Sequence, residues 1–172
     1  ISLFMPTLMG IVADRWIPAQ KLLGICHGLA ALFIGIFGWI GMRYGAEVAF
    51  SQLFPWYALS VAFFMPTIAL GNSVSYNALT QNGLDTVKAY PPIRVFGTIG
   101  FILSMWIVNF TGFKENYNQF FVSAAWGVIL AVYAFTLPNC PVSRGQKGQS
   151  LVDMFGLRAF ALFKDAKMCI FF

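Results

Sequence analysis

Apolar runs alternate with short polar breaks along the whole chain, and the length of the runs is more telling than any single residue in them. Leu22 to Met42, Leu53 to about Asn72, Ile93 to Phe110 and Asn118 to Leu137 are each of spanning length, since roughly 20 residues of helix cross a hydrocarbon core about 30 Å thick. Ile1 to Val12 reads as the end of an earlier span. Lipid offers no hydrogen bonds to free amides, so helices are the economical form for such runs. The pattern predicts an all-α membrane protein.

Composition agrees: 59% of the 172 residues are hydrophobic and 10% are charged, against about 25% charged in an ordinary soluble domain. The net charge of +5 does not point to nucleic acid, because the basic residues fall between the apolar runs, where they orient spans. Segments 13–21, 79–92 and 139–167 hold Arg15, Lys21, Lys88, Arg144, Lys147, Arg158, Lys164 and Lys167, whereas the alternate breaks hold Arg43 and Lys114. The positive-inside rule makes the first set cytoplasmic.

After Pro138 and Pro141 the polar run Arg144 to Gln149 reads as a linker, and Ser150-Leu151-Val152-Asp153 has the spacing of a helix-capping box. Leu151, Met154, Phe155, Leu162 and Phe163 among Arg158 and Lys164 predict a helix lying along the membrane surface. A further span opens at Met168. The chain starts at Ile1 inside one apolar run and stops inside another, so it is expected to be a fragment of a larger transporter-sized protein. Cys26, Cys140 and Cys169 lie far apart and predict neither disulfide nor zinc site. No cofactor or metal is expected. Phe4-Met5-Pro6-Thr7 recurs at Phe64-Met65-Pro66-Thr67, which fits either a repeat or biased composition; in both cases a proline within a span bends it.

Candidate chemistry concentrates at the start of the Ile93 run. Arg94, Thr98 and Phe101 stand at i, i+4 and i+7, so on a helix a guanidinium fork, a hydroxyl and a ring form one stripe able to meet a small polar molecule. Arg94 can also simply snorkel to the interface from its place near the helix start. Gly97 and Gly100 fit close helix packing or room for a ligand. Asn72, Ser73, Ser75, Tyr76 and Asn77 form a polar cluster that residence at the interface explains. The acids Asp14, Glu47, Asp85, Glu115, Asp153 and Asp165 all fall in breaks or at span ends. His27 lies within a span and reads as a packing residue or, less simply, as a titrating one. There is no nucleophile pair, metal cluster, phosphate loop or paired intramembrane carboxylate, so an enzyme is not expected.

Gly10-Ile11-Val12-Ala13-Asp14-Arg15 resembles the start of the cytoplasmic signature of the major facilitator superfamily, which joins the second and third spans. More narrowly, Gly10 to Trp16, Pro91-Pro92-Ile93-Arg94 with Gly97-Thr98-Ile99-Gly100-Phe101, and Phe160 to Lys164 resemble the bacterial nucleoside:proton symporter family, along essentially the whole chain. The resemblance implies an incomplete N-terminal helical bundle of a 12-span, two-bundle transporter. Residues 1–138 would run from the end of the second span to the sixth, 139–167 would be the cytoplasmic linker, and 168–172 would open the seventh. It further implies proton-coupled nucleoside uptake across the bacterial inner membrane, with Arg94, Thr98 and Phe101 contacting the nucleoside and Asp14 and Arg15 in the gate. The full-length protein would be a monomer in the lipid bilayer, with the coupling carboxylate in the C-terminal half. Where the superfamily signature continues with glycine and basic residues this chain has Ile17-Pro18-Ala19, which leaves fewer cations near Asp14. A symporter for a sugar or another small polar solute is the alternative.

Overall fold

Five helices account for nearly all of residues 4–47 and 49–140, which the computed structural model describes. They are α1 (Met5–Arg15), α2 (Ala19–Tyr44), α3 (Phe50–Gln81), α4 (Thr86–Phe110) and α5 (Asn118–Ala134), with single 3-10 turns at Gly45–Glu47 and Phe113–Glu115. Among the described residues there is no strand. By length and composition α2, α3 and α4 can each cross a membrane, and α5, with 17 residues, stands at the short end of spanning length. The surface-lying helix and the span expected from Met168 fall outside the described residues.

The helices reach further than the apolar runs. α3 continues through the polar cluster to Gln81, and α4 begins at Thr86, ahead of Pro91 and Pro92. Hydropathy marks only the lipid-depth part of a helix, whereas its hydrogen bonds continue into polar flanks where capping supports them. α3 ends in a Schellman motif: Leu84 N donates to Leu79 O at 3.0 Å and Gly83 N to Thr80 O at 3.0 Å, with Gly83 at φ 68°, a conformation glycine takes without strain. Two residues later the Asp85 carboxylate accepts from Val87 N at 3.0 Å and caps α4. The break expected over 79–92 therefore shrinks to Asn82–Asp85, and the one expected over 13–21 shrinks to Trp16–Pro18, because α1 runs to Arg15 and α2 starts at Ala19.

α2 is the central element, packed along α3 on one flank and α5 on the other. The α2–α5 seam is built from small residues. Gly24, Gly28, Ala31, Gly35 and Gly38 recur at alternating spacings of four and three, which keeps them on one face. A Cβ placed on Gly127 of α5 would stand 2.8 Å from the Cβ of Ala31, and one on Gly38 would stand 3.1 Å from the Cβ of Phe120. Apolar helices in lipid gain nothing by hiding apolar surface from one another, so close van der Waals approach between small residues has to supply the attraction. Aromatic rings fill the wider gaps, with Phe37 edge-on to Phe120 at 4.6 Å and Phe33 stacked on Phe63 at 5.8 Å. On the α3 flank, Ser60 Oγ donates to the carbonyl of Ala30 at 3.0 Å.

The end of the bundle that carries Arg15, Lys21 and Lys88 is fastened by a buried amide. Gln20, 1% exposed, donates from Nε2 to Asn139 Oδ1 at 2.8 Å and accepts from Cys140 N at 3.1 Å. Gln81 Nε2, at the end of α3, donates to the Asn139 carbonyl at 3.1 Å. The segment leaving α5 is thereby clasped to the start of α2 and the end of α3. Burial pushes the Cys140 thiol above its ordinary pKa, against an opposing pull from the hydrogen bond with Gln20, so little of it is the reactive thiolate at neutral pH.

Gly127→Val in the full-length protein is expected to overpack the seam and cost about 1–3 kcal/mol, read as a lower midpoint in thermal unfolding of the purified protein. Gln20→Ala is expected to weaken the clasp by about 1.4 kcal/mol and so open it about tenfold more often. Faster maleimide labelling of Cys140, followed on its peptide by mass spectrometry, checks that outcome.

Candidate functional site

The Arg94, Thr98 and Phe101 side chains all stand exposed along α4, Phe101 to 65%. The helix places them on one face as their spacing requires. Thr98 Oγ1 lies 3.5 Å from the carbonyl of Arg94, a long contact that leaves its hydroxyl free to turn outward. Neither Gly97 nor Gly100 has a neighbouring atom within 4 Å of where a Cβ would sit. Close packing is thus not what these glycines serve among the described residues; they flatten the surface flanking the stripe.

The carboxylates of Glu47, Asp85 and Glu115 lie in the 3-10 turns or at the α4 cap, away from the stripe. Arg94 stands eight residues into α4, about 12 Å along the axis from its first residue. That depth is within reach of a snorkelling side chain but far from the polar end of the helix.

Asp14 and Arg15 close α1, where the amides of Trp16 and Ile17 both donate to the carbonyl of Val12, at 3.0 and 3.1 Å. Arg15 complements the partial negative charge of a helix C-terminus and an acid at position 14 opposes it. α1 packs on α3 and α2, while the stripe stands on α4. α1 and α4 are not principal neighbours of one another.

A crevice of about 470 Å³ contains none of the three stripe residues, whereas Phe101 borders one of about 460 Å³ with Ser104, Asn109 and Lys114. Leu23, Val74, Leu130 and Tyr133 dominate the wall of the first and only Ile93 reaches it from α4. His27, Ser75 and Asn82 add polar groups to that wall. His27 borders both this crevice and another of about 270 Å³, with its ring edge-on to Phe64 at 6.4 Å. That is the setting of a packing residue.

No residue of α4 is buried among the described residues, and apart from the turn that follows it in sequence its principal neighbour is α3. Two side-chain contacts between them involve residues to which the sequence pattern gave no individual role. Tyr90 Oη donates to Asn72 Oδ1 at 2.6 Å, and the Tyr90 ring stacks on Tyr76 at 4.4 Å with 30° between planes. One signal was available in the sequence: Tyr90 is four residues before Arg94, and Asn72 is four before Tyr76.

The sequence model of a family described as Nucleoside H+ symporter matches residues 1–172. The chain is 41% identical over 172 residues to the nucleoside permease NupG of Escherichia coli (strain K12) and 43% identical to the xanthosine permease of the same organism. In each case the match takes in 99% of this chain and 39% of the relative. Two crystal structures of the nucleoside transporter NupG, one of them of a variant, superpose with TM-scores of 0.72 and 0.79 at 40% and 39% identity. Both cover 99% of this chain and 40% of the solved one. The chain therefore spans about two fifths of the length of these relatives.

Proposed function

The chain belongs to the Nucleoside H+ symporter family, and from that premise we propose that it serves proton-coupled uptake of nucleosides across a bacterial inner membrane. It is a multi-pass membrane protein of transporter type rather than an enzyme. In this reading it supplies the end of the second span through the sixth of a two-bundle transporter, with residues 139–167 as cytoplasmic linker and 168–172 opening the seventh span. The ends carrying Arg15, Lys21 and Lys88 are cytoplasmic, and the bundles rock about a midplane site to give alternating access.

The observation that carries the reading is the alignment of Arg94, Thr98 and Phe101 on one face of a helix apolar enough to span a membrane. A nucleoside is neutral, with hydroxyls on its ribose, donors and acceptors on its base and a flat π face. Arg94 offers planar donors to base or ribose oxygens, Thr98 donates and accepts, and Phe101 stacks. The sugar or small-solute alternative would use the fork and the hydroxyl but has no planar group for the ring. Asp14 and Arg15, at the basic end of α1, serve as gate residues that hold one conformation. The proton needs a titrating group in the path; the acids at positions 14, 47, 85 and 115 all stand at helix ends or in connections. The coupling carboxylate then belongs to the C-terminal bundle.

In proteoliposomes of the full-length protein with an inward proton gradient, labelled uridine uptake is expected to depend on the gradient, and Arg94→Ala to reduce it at least about a hundredfold. Adenosine is expected to compete and free ribose not to; competition by ribose would favour the alternative, and undiminished uptake by the variant would make Arg94 an interface anchor. Asp14→Asn is expected to keep nucleoside affinity within about twofold while slowing uptake by tenfold or more, measured by equilibrium binding alongside transport.

A further inference from the structure

We propose that Tyr90 is a positioning residue for Arg94, fixing the rotation of α4 through its hydrogen bond to Asn72 and its stack on Tyr76. The inference rests on the reading of Arg94 as a nucleoside ligand. Three observations carry it.

First, the side-chain contacts that tie α4 to α3 among the described residues are polar and directional. The 2.6 Å bond from Tyr90 Oη to Asn72 Oδ1 and the 4.4 Å ring stack on Tyr76 supply a directional contact that an apolar surface lacks. Second, Tyr90 precedes Arg94 by four residues, so both project from the same face. A torque on α4 that moved the Arg94 fork sideways would have to break the Tyr90 bond. Third, Pro91 and Pro92 lie inside α4 between the two residues. Neither can donate to the carbonyl four residues back, so the ladder is interrupted at Val87 and Lys88, where the first turn of α4 joins the remainder. The anchored side chain sits at this weak point, and Asp85 caps the same turn from the other end. Asn72 and Tyr76 thereby have a task beyond residence at an interface.

The hydroxyl acts on affinity, because a misdirected guanidinium loses its geometry with the bound nucleoside before any cycling occurs. Tyr90→Phe keeps the ring on Tyr76 and removes only the bond. In the purified full-length protein, Tyr90→Phe is expected to weaken equilibrium binding of labelled uridine about fivefold, with maximal uptake rate within about twofold. Asn72→Ala is expected to match it, and the double variant to be no worse than either. In an Arg94→Lys background, which keeps the cation and loses the fork, Tyr90→Phe is expected to add nothing.

Unchanged affinity in Tyr90→Phe would overturn the inference, as would a lowered thermal midpoint at wild-type affinity, which is what a merely structural contact gives. An equal further loss in the Arg94→Lys background would overturn it too, since the hydroxyl would then act by another route. In the same assay, Arg94→Ala with wild-type uridine affinity would remove the site reading itself, and this inference with it; weakened binding in Arg94→Ala with a silent Tyr90→Phe would remove the inference alone.

Discussion

The close approach of α2 and α5 is the constraint around which the remaining helices arrange themselves. Two apolar helices in lipid exchange one apolar neighbour for another, so the energy of contact comes from atoms brought within van der Waals range over a long seam. The Gly24 to Gly38 face of α2 against Ala124, Gly127 and Ala131 of α5 provides that range, and the 2.8 Å separation computed for a Cβ at Gly127 measures how little slack remains. With α5 committed to one flank of α2, the other flank is left to α3. At the basic end the buried Gln20 amide closes the set, satisfying an amide of the departing chain that would otherwise be orphaned.

Among the described helices α4 meets chiefly α3, and it is the helix that bears the proposed ligand residues. The division has a physical logic. A cavity-lining surface has to stay accessible and in part polar, so it contributes little to a packed interior, and the stability it forgoes must be provided elsewhere in the bundle. A helix that presents a ligand face also needs some directional contact if that face is to have a fixed azimuth. Hydrogen bonds and aromatic stacks have preferred directions; dispersion between aliphatic side chains does not. The Asn72, Tyr76 and Tyr90 cluster is suited to that task in a way that another pair of leucines would not be.

Much of this was legible in the sequence. Runs of 18 residues or more whose charges alternate between breaks are unambiguous in an apolar chain, and the Arg94 stripe follows from spacing alone. The helix ends were not legible, because hydropathy falls where the chain leaves the hydrocarbon while the ladder of hydrogen bonds continues, as at Asn72 to Gln81. Pro91 and Pro92 read as the end of a break because proline usually stops a helix, but both fall in its second turn, after a capped start at Asp85. The link from Tyr90 to Asn72 joins residues 18 apart across a turn, and no one-helix pattern carries such a pairing. Gln20 was equally silent: a lone glutamine at a helix start gives no hint that its partners, Asn139 and Cys140, are more than a hundred residues away.

What supports the proposed stripe as more than an interface feature is the joint position of its members. An arginine at the end of a span costs little, since its long stem carries the charge to water. A guanidinium facing lipid about 12 Å into a helix is costlier, by a few kcal/mol on insertion scales, and an adjacent threonine would do nothing to offset that. The cost disappears if the same face borders a water-filled, ligand-accepting cavity, where the charge stays hydrated and the hydroxyl, ring and flanking glycines each gain a use. The exposed apolar residues Phe96, Ile99, Leu103 and Ile107 of α4 fall on the face opposite Arg94, as a helix with lipid on one side and a polar cavity on the other requires. The proposed Tyr90 anchor, four residues before Arg94, would hold the boundary between the two environments in register with that cavity.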